Sequence, residues 1–153
     1  MFYSSCRQHG IASEAMVERA LQQIIKEGGE VGRDPVRIVD FSKSPPNGIR
    51  DREGIDFIVT LDEAGQIPIQ VKSSSIRGKR FERRRRNSRY FIPVVVVNWW
   101  ENLEKIVMKV RTCIKLVLDI VRRRLNDEIH RHRIGAKKRK QKFRRFHAPC
   151  MCH

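Results

Sequence analysis

The chain has few of the features that place a protein in a membrane or in the secretory pathway. Its longest apolar run, from Phe91 to Trp100, is about ten residues and contains Pro93 and Asn98, whereas a membrane-spanning helix needs about 20 apolar residues. The N-terminal residues lack the apolar core of a signal peptide. The four cysteines are too scattered for a disulfide framework. We therefore expect an intracellular protein, cytoplasmic or associated with the nucleoid.

Acidic residues are scarce in the second half of the chain. The 153 residues include 33 Lys and Arg against 17 Asp and Glu, which gives a formal net charge of +16. Residues 1–76 hold nine basic and eleven acidic side chains, whereas residues 77–153 hold 24 and six. A basic half joined to a near-neutral half predicts a polyanionic partner. Nucleic acid is the first candidate, and an anionic membrane surface is the second.

Two segments have the apolar spacing of amphipathic helices. In residues 13–27 Ser13 is a plausible N-cap. A longer pattern begins at Trp99 and continues to about Arg133, and we expect Gly135 to end that helix. Trp99 and Trp100, at its start, are expected to cap a core.

Four strand-like runs lie between the two helices. Each is rich in β-branched and aliphatic residues and is bounded by turn-forming residues. A mixed sheet of about four strands with flanking helices, an α/β fold, is therefore predicted. The runs are residues 35–41, 54–61, 67–72 and 91–97.

The same patterns predict how the chain is divided. Residues 1–12 read as an N-terminal extension and residues 13–134 as one domain that includes the long helix. Residues 135–153 form a basic tail, which we expect to be disordered on its own. The domain is long enough to bury a core, since apolar residues make up 40% of the chain.

Three polar residues lie in two consecutive strand-like runs and are candidates for a catalytic site. Side chains alternate along a strand, so Gln70 and Lys72 share one face of theirs. The turn-like residues 62–66 predict a hairpin, which can bring Asp56 beside them. An acid, an amide oxygen and an ammonium at one sheet edge can bind a divalent metal and a phosphate together.

This order of elements resembles the PD-(D/E)XK nuclease superfamily, which has the restriction-endonuclease-like fold. The family pattern is an acid before one strand and Asp/Glu-x-Lys on the next, and Asp56 and Gln70-Val71-Lys72 occupy these places. Many members add a glutamate from the N-terminal helix, and Glu18 is expected in that role, with Glu14 as its rival. The layout is most similar to archaeal Holliday-junction resolvases. The resemblance covers about residues 13–98.

The resemblance implies a metal-dependent endonuclease that acts on DNA, including structured or branched DNA. Mg²⁺ or Mn²⁺ would be held by Asp56, Gln70, the Val71 carbonyl and Glu18, and Lys72 would stabilise developing negative charge. Cutting a junction needs two active sites, which implies a homodimer. The apolar stripe of residues 103–129 offers a surface for it.

Two departures from the family pattern favour an alternative. No proline precedes Asp56, and Gln70 replaces the middle acid. An amide still offers an oxygen to a hard cation but brings no negative charge. The alternative is therefore a catalytically inactive nucleic-acid-binding protein that keeps the nuclease fold.

Two basic segments are the predicted nucleic-acid contacts. A phosphate backbone relieves the mutual repulsion of clustered arginines and releases counterions when it binds. The first segment follows the candidate catalytic strand directly, and the second lies in the basic tail. The predicted contact residues are Ser73, Arg77, Lys79, Arg80, Arg83, Arg84, Arg85 and Arg86 in the first, and Lys137, Lys138, Arg139 and Lys140 in the second.

Overall fold

The computed structural model divides into two compact units, Met1–Val117 and Leu118–His153. None of the described helices combines the length and the apolar character that crossing a membrane requires. The backbone is described for residues 2–32, 35–62, 65–85 and 91–146, and the side chains for residues 8–32, 35–62, 65–84 and 91–132.

The elements are α1 (Phe2–Lys26), β1 (Ile38–Lys43), α2 (Ile49–Arg52), β2 (Phe57–Leu61), β3 (Gly65–Lys72), α3 (Ser75–Arg85), β4 (Val94–Val96) and α4 (Leu103–Phe146). The fold is α/β, as the sequence predicted, with a four-stranded mixed sheet in the order β1-β2-β3-β4. Strands β1, β2 and β3 pair antiparallel, and β3 pairs with β4 in parallel. A parallel pair needs a crossover connection, which α3 supplies.

The core is built from apolar side chains of α1, of the strands and of the first part of α4. Helix α1 contacts β1 and β3, and α3 contacts β3 and β4. Gly78 brings α3 close to β4, since an added Cβ there would lie 3.0 Å from Val96 Cγ2. The helices and the strands both contribute side chains that are fully shielded from solvent, which include Leu21, Ile24, Phe57, Ile69, Ile106 and Ile114.

Helix α1 begins at Phe2, so the prediction that Ser13 is an N-cap was wrong. Ser13 is buried inside the helix, where its hydroxyl donates to the carbonyl oxygen of His9 at 2.8 Å and contacts that of Val97 at 3.5 Å. A serine that bonds the carbonyl four residues earlier needs no helix end. Burial against the β4 end, which the sequence does not reveal, decides this placement.

The long C-terminal helix also has other ends than those predicted. It begins at Leu103, because the Asn102 side chain accepts a hydrogen bond from the Lys105 amide at 3.0 Å and caps it. It continues through Gly135 to Phe146, so residues 135–146, predicted to be disordered, are helical. One glycine costs a helix about 1 kcal/mol, which neighbouring Lys, Arg and Gln of high helix propensity can offset.

A buried carboxylate ties the start of α4 to the edge of the sheet. The side chain of Glu101 is 2% exposed and accepts hydrogen bonds from Lys109 Nζ at 2.6 Å and from the Asn98 amide at 2.9 Å. Lys109 also donates to the Val96 carbonyl at 2.7 Å, on edge strand β4. Burial acts to raise the pKa of Glu101, but these hydrogen bonds outweigh it and lower the pKa to about 2.

Replacing Lys109 with Met is expected to lower the free energy of unfolding by about 2 kcal/mol, because Glu101 loses its main partner while it stays buried. Chemical denaturation at neutral pH measures the change. Lys105→Met is the matched control, since Lys105 contacts the same carboxylate at 3.4 Å from a side chain that is 60% exposed. Its loss should stay below about 1 kcal/mol. Equal losses for the two variants would contradict the buried pairing.

Candidate functional site

The β2–β3 hairpin sets the geometry of the candidate site. Its register pairs Phe57 with Ile69, and the amide of Asp56 donates to the Ile69 carbonyl at 2.9 Å. Asp56 therefore enters β2 directly opposite Gln70. Lys72 lies two residues further along β3 and shares the face of Gln70. The predicted hairpin is confirmed, and the three residues line one pocket.

The carboxylate of Asp56 is held by groups of β3. Its Oδ2 atom accepts a hydrogen bond from the Val71 amide at 2.6 Å and a second one from Nε2 of Gln70. The same Nε2 donates to the Val71 carbonyl at 3.2 Å. The amide of Gln70 therefore bridges the two oxygens that the family resemblance assigns to a metal.

The other end of the Gln70 amide has no such partner. Gln70 is 2% exposed, and its Oε1 atom is buried without a hydrogen-bond partner among the described residues. A buried polar atom of this kind carries a free-energy cost. The nitrogen and oxygen ends of an amide exchange when it rotates by half a turn. Such a rotation would direct Oε1 toward the Asp56 carboxylate and the Val71 carbonyl.

Gly54 makes room for this arrangement. It has a φ of +77°, which favours glycine, and it precedes Asp56 by two residues. A Cβ at this position would lie 2.6 Å from the ring of Phe81 and 2.9 Å from Gln70 Oε1. Only glycine lets the loop pass this close to the Gln70 amide.

Lys72 is half-buried beside an aromatic ring. Its Nζ atom lies 5.3 Å from the centre of the Phe81 ring, within the range of a cation–π contact. Burial lowers the pKa of Lys72, while the negative charges of Asp56 and Glu14 act to raise it. A neutral ring thus contacts the ammonium, and the charges of two acids act on its pKa.

The pocket has a volume of about 370 Å³ and contains acids and bases from several elements. Glu14 of α1 lines it and forms an ion pair with Lys43 of β1 at 3.1 Å. Glu18, the acid expected from this helix, is not among its described lining residues. The polar and charged groups around the pocket include Glu14, Asp51, Asp56, Gln70, Lys72 and Arg77.

Asp56 has a pKa well above that of an ordinary aspartate. Burial raises the pKa from 3.8 to about 6, against the opposing effects of the Val71 amide and the Lys72 charge. The charges of Glu14 and Asp51 add to the increase. Bringing a cation into the pocket would favour the ionised carboxylate.

The fit of the pocket to a divalent cation depends on Gln70. Among the residues whose side chains are described, no group of three or more His, Cys, Asp and Glu side chains could hold a metal ion. Asp56 supplies one carboxylate, and the Val71 carbonyl supplies a second oxygen. The orphaned Oε1 of Gln70 supplies a third after the amide turns, so these residues fit Mg²⁺ in that rotamer.

The predicted contacts for nucleic acid fall into three groups. Ser73 and Arg77 line the pocket, and Arg77 Nη1 donates to Ser73 Oγ at 3.5 Å. Four further basic residues are exposed on α3: Lys79, Arg80, Arg83 and Arg84. The third group lies outside the described residues or side chains. It consists of Arg86 and of the side chains of Arg85, Lys137, Lys138, Arg139 and Lys140.

Sequence reasoning did not single out three of the pocket residues. Asp51 lies in α2, a helix of four residues between β1 and β2, and its Oδ2 atom accepts a hydrogen bond from the Asn47 amide at 2.9 Å. Phe81 and Gly54 meet above Gln70 through tertiary contact alone. The Gly54-Ile55-Asp56 sequence was the one available signal, because a glycine before a strand often marks close backbone approach.

Comparisons of the chain with protein-family models, with curated proteins and with solved structures give no match.

Asp56→Asn is expected to change how stability depends on pH. The pKa of Asp56 is raised in the folded state, so its contribution to stability is full below pH 3.8 and is lost as pH rises through about 6. In EDTA, the variant should therefore gain about 2 kcal/mol over the wild type between pH 4.5 and pH 8. Denaturation curves across that range measure the gain.

The exposed Asp40 of β1 supplies the matched control. Asp40→Asn reports what removal of a carboxylate outside the pocket does to the same denaturation curves. A gain of the same size and pH range for both variants would show that burial of Asp56 is not its cause.

Proposed function

We propose that the protein is a metal-dependent endonuclease that hydrolyses phosphodiester bonds in DNA. The convergence of Asp56, Gln70 and Lys72 in one pocket is the observation that carries this proposal. The pocket combines oxygen ligands for a cation with an ammonium for a phosphate. The three residues occupy the places of the PD-(D/E)XK pattern that the sequence resembles. The restriction-endonuclease-like fold is part of the proposal, which the four-stranded mixed sheet supports.

Asp56, Gln70 and the Val71 carbonyl would hold Mg²⁺ or Mn²⁺. When bound, the cation polarises the scissile phosphate and lowers the pKa of a coordinated water. Asp56 contributes the negative charge of the ligand set. The Gln70 amide must rotate so that its oxygen points toward the cation. The Val71 amide, at 2.6 Å, keeps the carboxylate oriented as the side chain of Gln70 rotates.

Lys72 stabilises the negative charge that develops on the phosphate during attack. Its ammonium is half-buried, and a charge in such a site acts more strongly than it does in water. The Phe81 ring holds it without a competing hydrogen bond, since a cation–π contact leaves the N–H groups available for phosphate oxygens.

Glu14 is the acid of α1 that we assign to the site in place of Glu18. It lines the pocket, and its charge acts on the pKa values of both Asp56 and Lys72. From the wall of the pocket, its carboxylate would accept a hydrogen bond from the attacking water and orient it. Lys43 holds the side chain of Glu14 at 3.1 Å and limits its motion.

The DNA backbone would follow the exposed face of α3. Ser73 and Arg77 at the pocket would bind the phosphates next to the scissile one, and the arginines and lysine along the helix would bind phosphates further away. Most of this binding is electrostatic, so it should weaken steeply as salt increases.

A homodimer and a branched substrate complete the proposal. Within the second unit, Val121, Leu125 and Ile129 recur at steps of four residues and are 47%, 52% and 49% exposed. An apolar stripe on an exposed helix is the kind of surface that a second helix covers. Two sites in one dimer would suit a junction, which needs two cuts.

A catalytically inactive nucleic-acid-binding protein is the second candidate, and the orientation of Gln70 favours it. The amide donates hydrogen bonds to Asp56 and to the Val71 carbonyl, so its NH₂ group lies between the oxygens that would bind the cation. This pattern satisfies the buried carboxylate without a metal. In that case the basic face of α3 alone would carry the function.

Cleavage of plasmid DNA and of a four-way junction, with and without Mg²⁺, tests the endonuclease. We expect Mg²⁺-dependent cleavage that falls by at least about 100-fold in Asp56→Ala and in Lys72→Ala, because each change removes one charge of the site. Lys79→Ala, on the exposed part of α3, is the control for nonspecific loss of positive charge. Cleavage that survives both substitutions in the pocket would rule out this site.

Gln70→Glu separates the endonuclease from the inactive binding protein in the same assay. An active wild type is expected to keep its cleavage or to bind Mg²⁺ more tightly with the added carboxylate. Cleavage by the variant alone would identify the wild type as an inactive protein with the nuclease fold. Titration with Mg²⁺ in both proteins gives the metal dependence.

Glu14→Gln and Glu18→Gln are a matched pair on adjacent turns of one helix. We expect Glu14→Gln to reduce Mg²⁺-dependent cleavage about tenfold or more, whereas Glu18→Gln leaves it within about twofold, because only Glu14 lines the pocket. Initial cleavage rates at saturating Mg²⁺ measure both effects. A larger loss of cleavage rate in Glu18→Gln than in Glu14→Gln would instead identify Glu18 as the acid that α1 contributes to the site.

A further inference from the structure

The two tryptophans of the chain lie exposed on one surface. Trp99 is 82% exposed and Trp100 is 65% exposed, so the prediction that they cap a core was wrong. Their ring centres are 5.6 Å apart with the planes at 88°. Large aromatic rings left open to water in a folded domain often mark a binding surface.

Trp99 borders a pocket of about 420 Å³ that lies beside the candidate active site. Apolar side chains, including Met16 and Val97, and the polar residues His9 and Asn98 line it. An apolar pocket with a few polar groups is the usual form of a small-ligand site. Ser73 lines both this pocket and the pocket of Asp56, so the two adjoin at that residue.

The acid in this pocket does not oppose an anionic ligand. Glu101 lines it, but its carboxylate is 2% exposed and accepts hydrogen bonds from Lys109 and from the Asn98 amide. Lys105 lies 3.4 Å from the same carboxylate. The negative charge is therefore compensated within the protein, and Arg77 lies on the other side of Ser73.

We propose that this pocket binds an unpaired nucleobase, stacked on Trp99, of the strand whose phosphate lies at Asp56 and Lys72. The base site rests on the endonuclease function proposed above and specifies its substrate. A base in an intact duplex has both faces covered by its neighbours, so only an unpaired nucleotide can present a face to the indole. The substrate is then DNA with unpaired nucleotides next to the cleaved bond.

Position and charge favour a nucleobase over an apolar protein segment as the occupant. A nucleotide consists of a flat, largely apolar base linked to a phosphate. The apolar pocket beside Trp99 matches the base, and the adjoining pocket with Lys72 and Arg77 matches the phosphate. Ser73, between them, can donate a hydrogen bond to the connecting sugar-phosphate. Imidazole and amide groups at His9 and Asn98 suit the polar edge of a base.

Tryptophan fluorescence tests the site directly, because Trp99 and Trp100 are the only tryptophans in the chain. The full-length protein is titrated in EDTA, so that no cleavage occurs, with a single-stranded oligonucleotide and with a blunt duplex of the same sequence. We expect saturable quenching by the single strand and at least about fivefold weaker binding of the duplex, since stacking adds about 1–3 kcal/mol per base.

Trp99→Ala is expected to weaken binding of the single strand by about five- to 150-fold, the equivalent of one stacked base. Trp100→Ala, which removes the neighbouring exposed ring, should leave the affinity within about twofold and keep the quenching of Trp99. Both changes are at exposed positions, and denaturation curves confirm that each variant is folded. Fluorescence anisotropy of a labelled oligonucleotide gives the affinities independently of the tryptophan signal.

Equal quenching by single strand and duplex, or unchanged affinity in Trp99→Ala, would overturn the base site. A response to anionic vesicles in place of the oligonucleotide would also overturn it, in favour of a membrane contact. The failure of the base site can be distinguished from the failure of the endonuclease proposal. Asp56-dependent cleavage without any Trp99 effect removes the base site only, whereas quenching without cleavage removes the endonuclease and leaves the base site.

Discussion

The register between β2 and β3 is the constraint on which the rest of the candidate site depends. It places Asp56 opposite Gln70 and leaves Lys72 on the same face, with the site at the end of the paired region. A slip of one residue would turn every side chain of β3 to the opposite face. The fully buried side chain of Ile69 opposes such a slip, since the slip would turn it to the opposite face.

Packing at this place forces a carboxylate into a poorly solvated position. Burial raises the pKa of Asp56 to about 6, and the nearby acids add to the effect. The protein can balance such a charge with hydrogen bonds, with a neighbouring cation or with a bound metal. The Val71 and Gln70 groups provide the first and Lys72 the second. In the enzyme a bound metal would balance the Asp56 carboxylate as well. In the inactive binding protein the NH₂ group of Gln70 would keep the place of that metal.

The surface around the pocket carries the groups that we propose to bind nucleic acid. Arg77 and Ser73 connect it to the basic face of α3, and Ser73 connects it to the surface that carries Trp99. Charge and aromatic stacking act differently on nucleic acid, since charge attracts any phosphate backbone and stacking selects exposed bases. Both features lie in the unit formed by Met1–Val117. The part of the apolar stripe that we assign to dimerisation, Val121, Leu125 and Ile129, is exposed and lies on the other unit, whereas Ile106 and Ile114 of the same stripe are buried in the core.

The sequence by itself determined the hairpin that groups Asp56 with Gln70 and Lys72, because alternation along a strand is a local property that one chain segment displays. It favoured Glu18 over Glu14, which lies one turn away on nearly the same face of α1. Only the docking of α1 on the sheet turns Glu14 toward the pocket. Burial of Ser13, exposure of Trp99 and the approach of Phe81 to Gly54 are likewise decided by tertiary contacts between distant segments, for which the local pattern contains no signal.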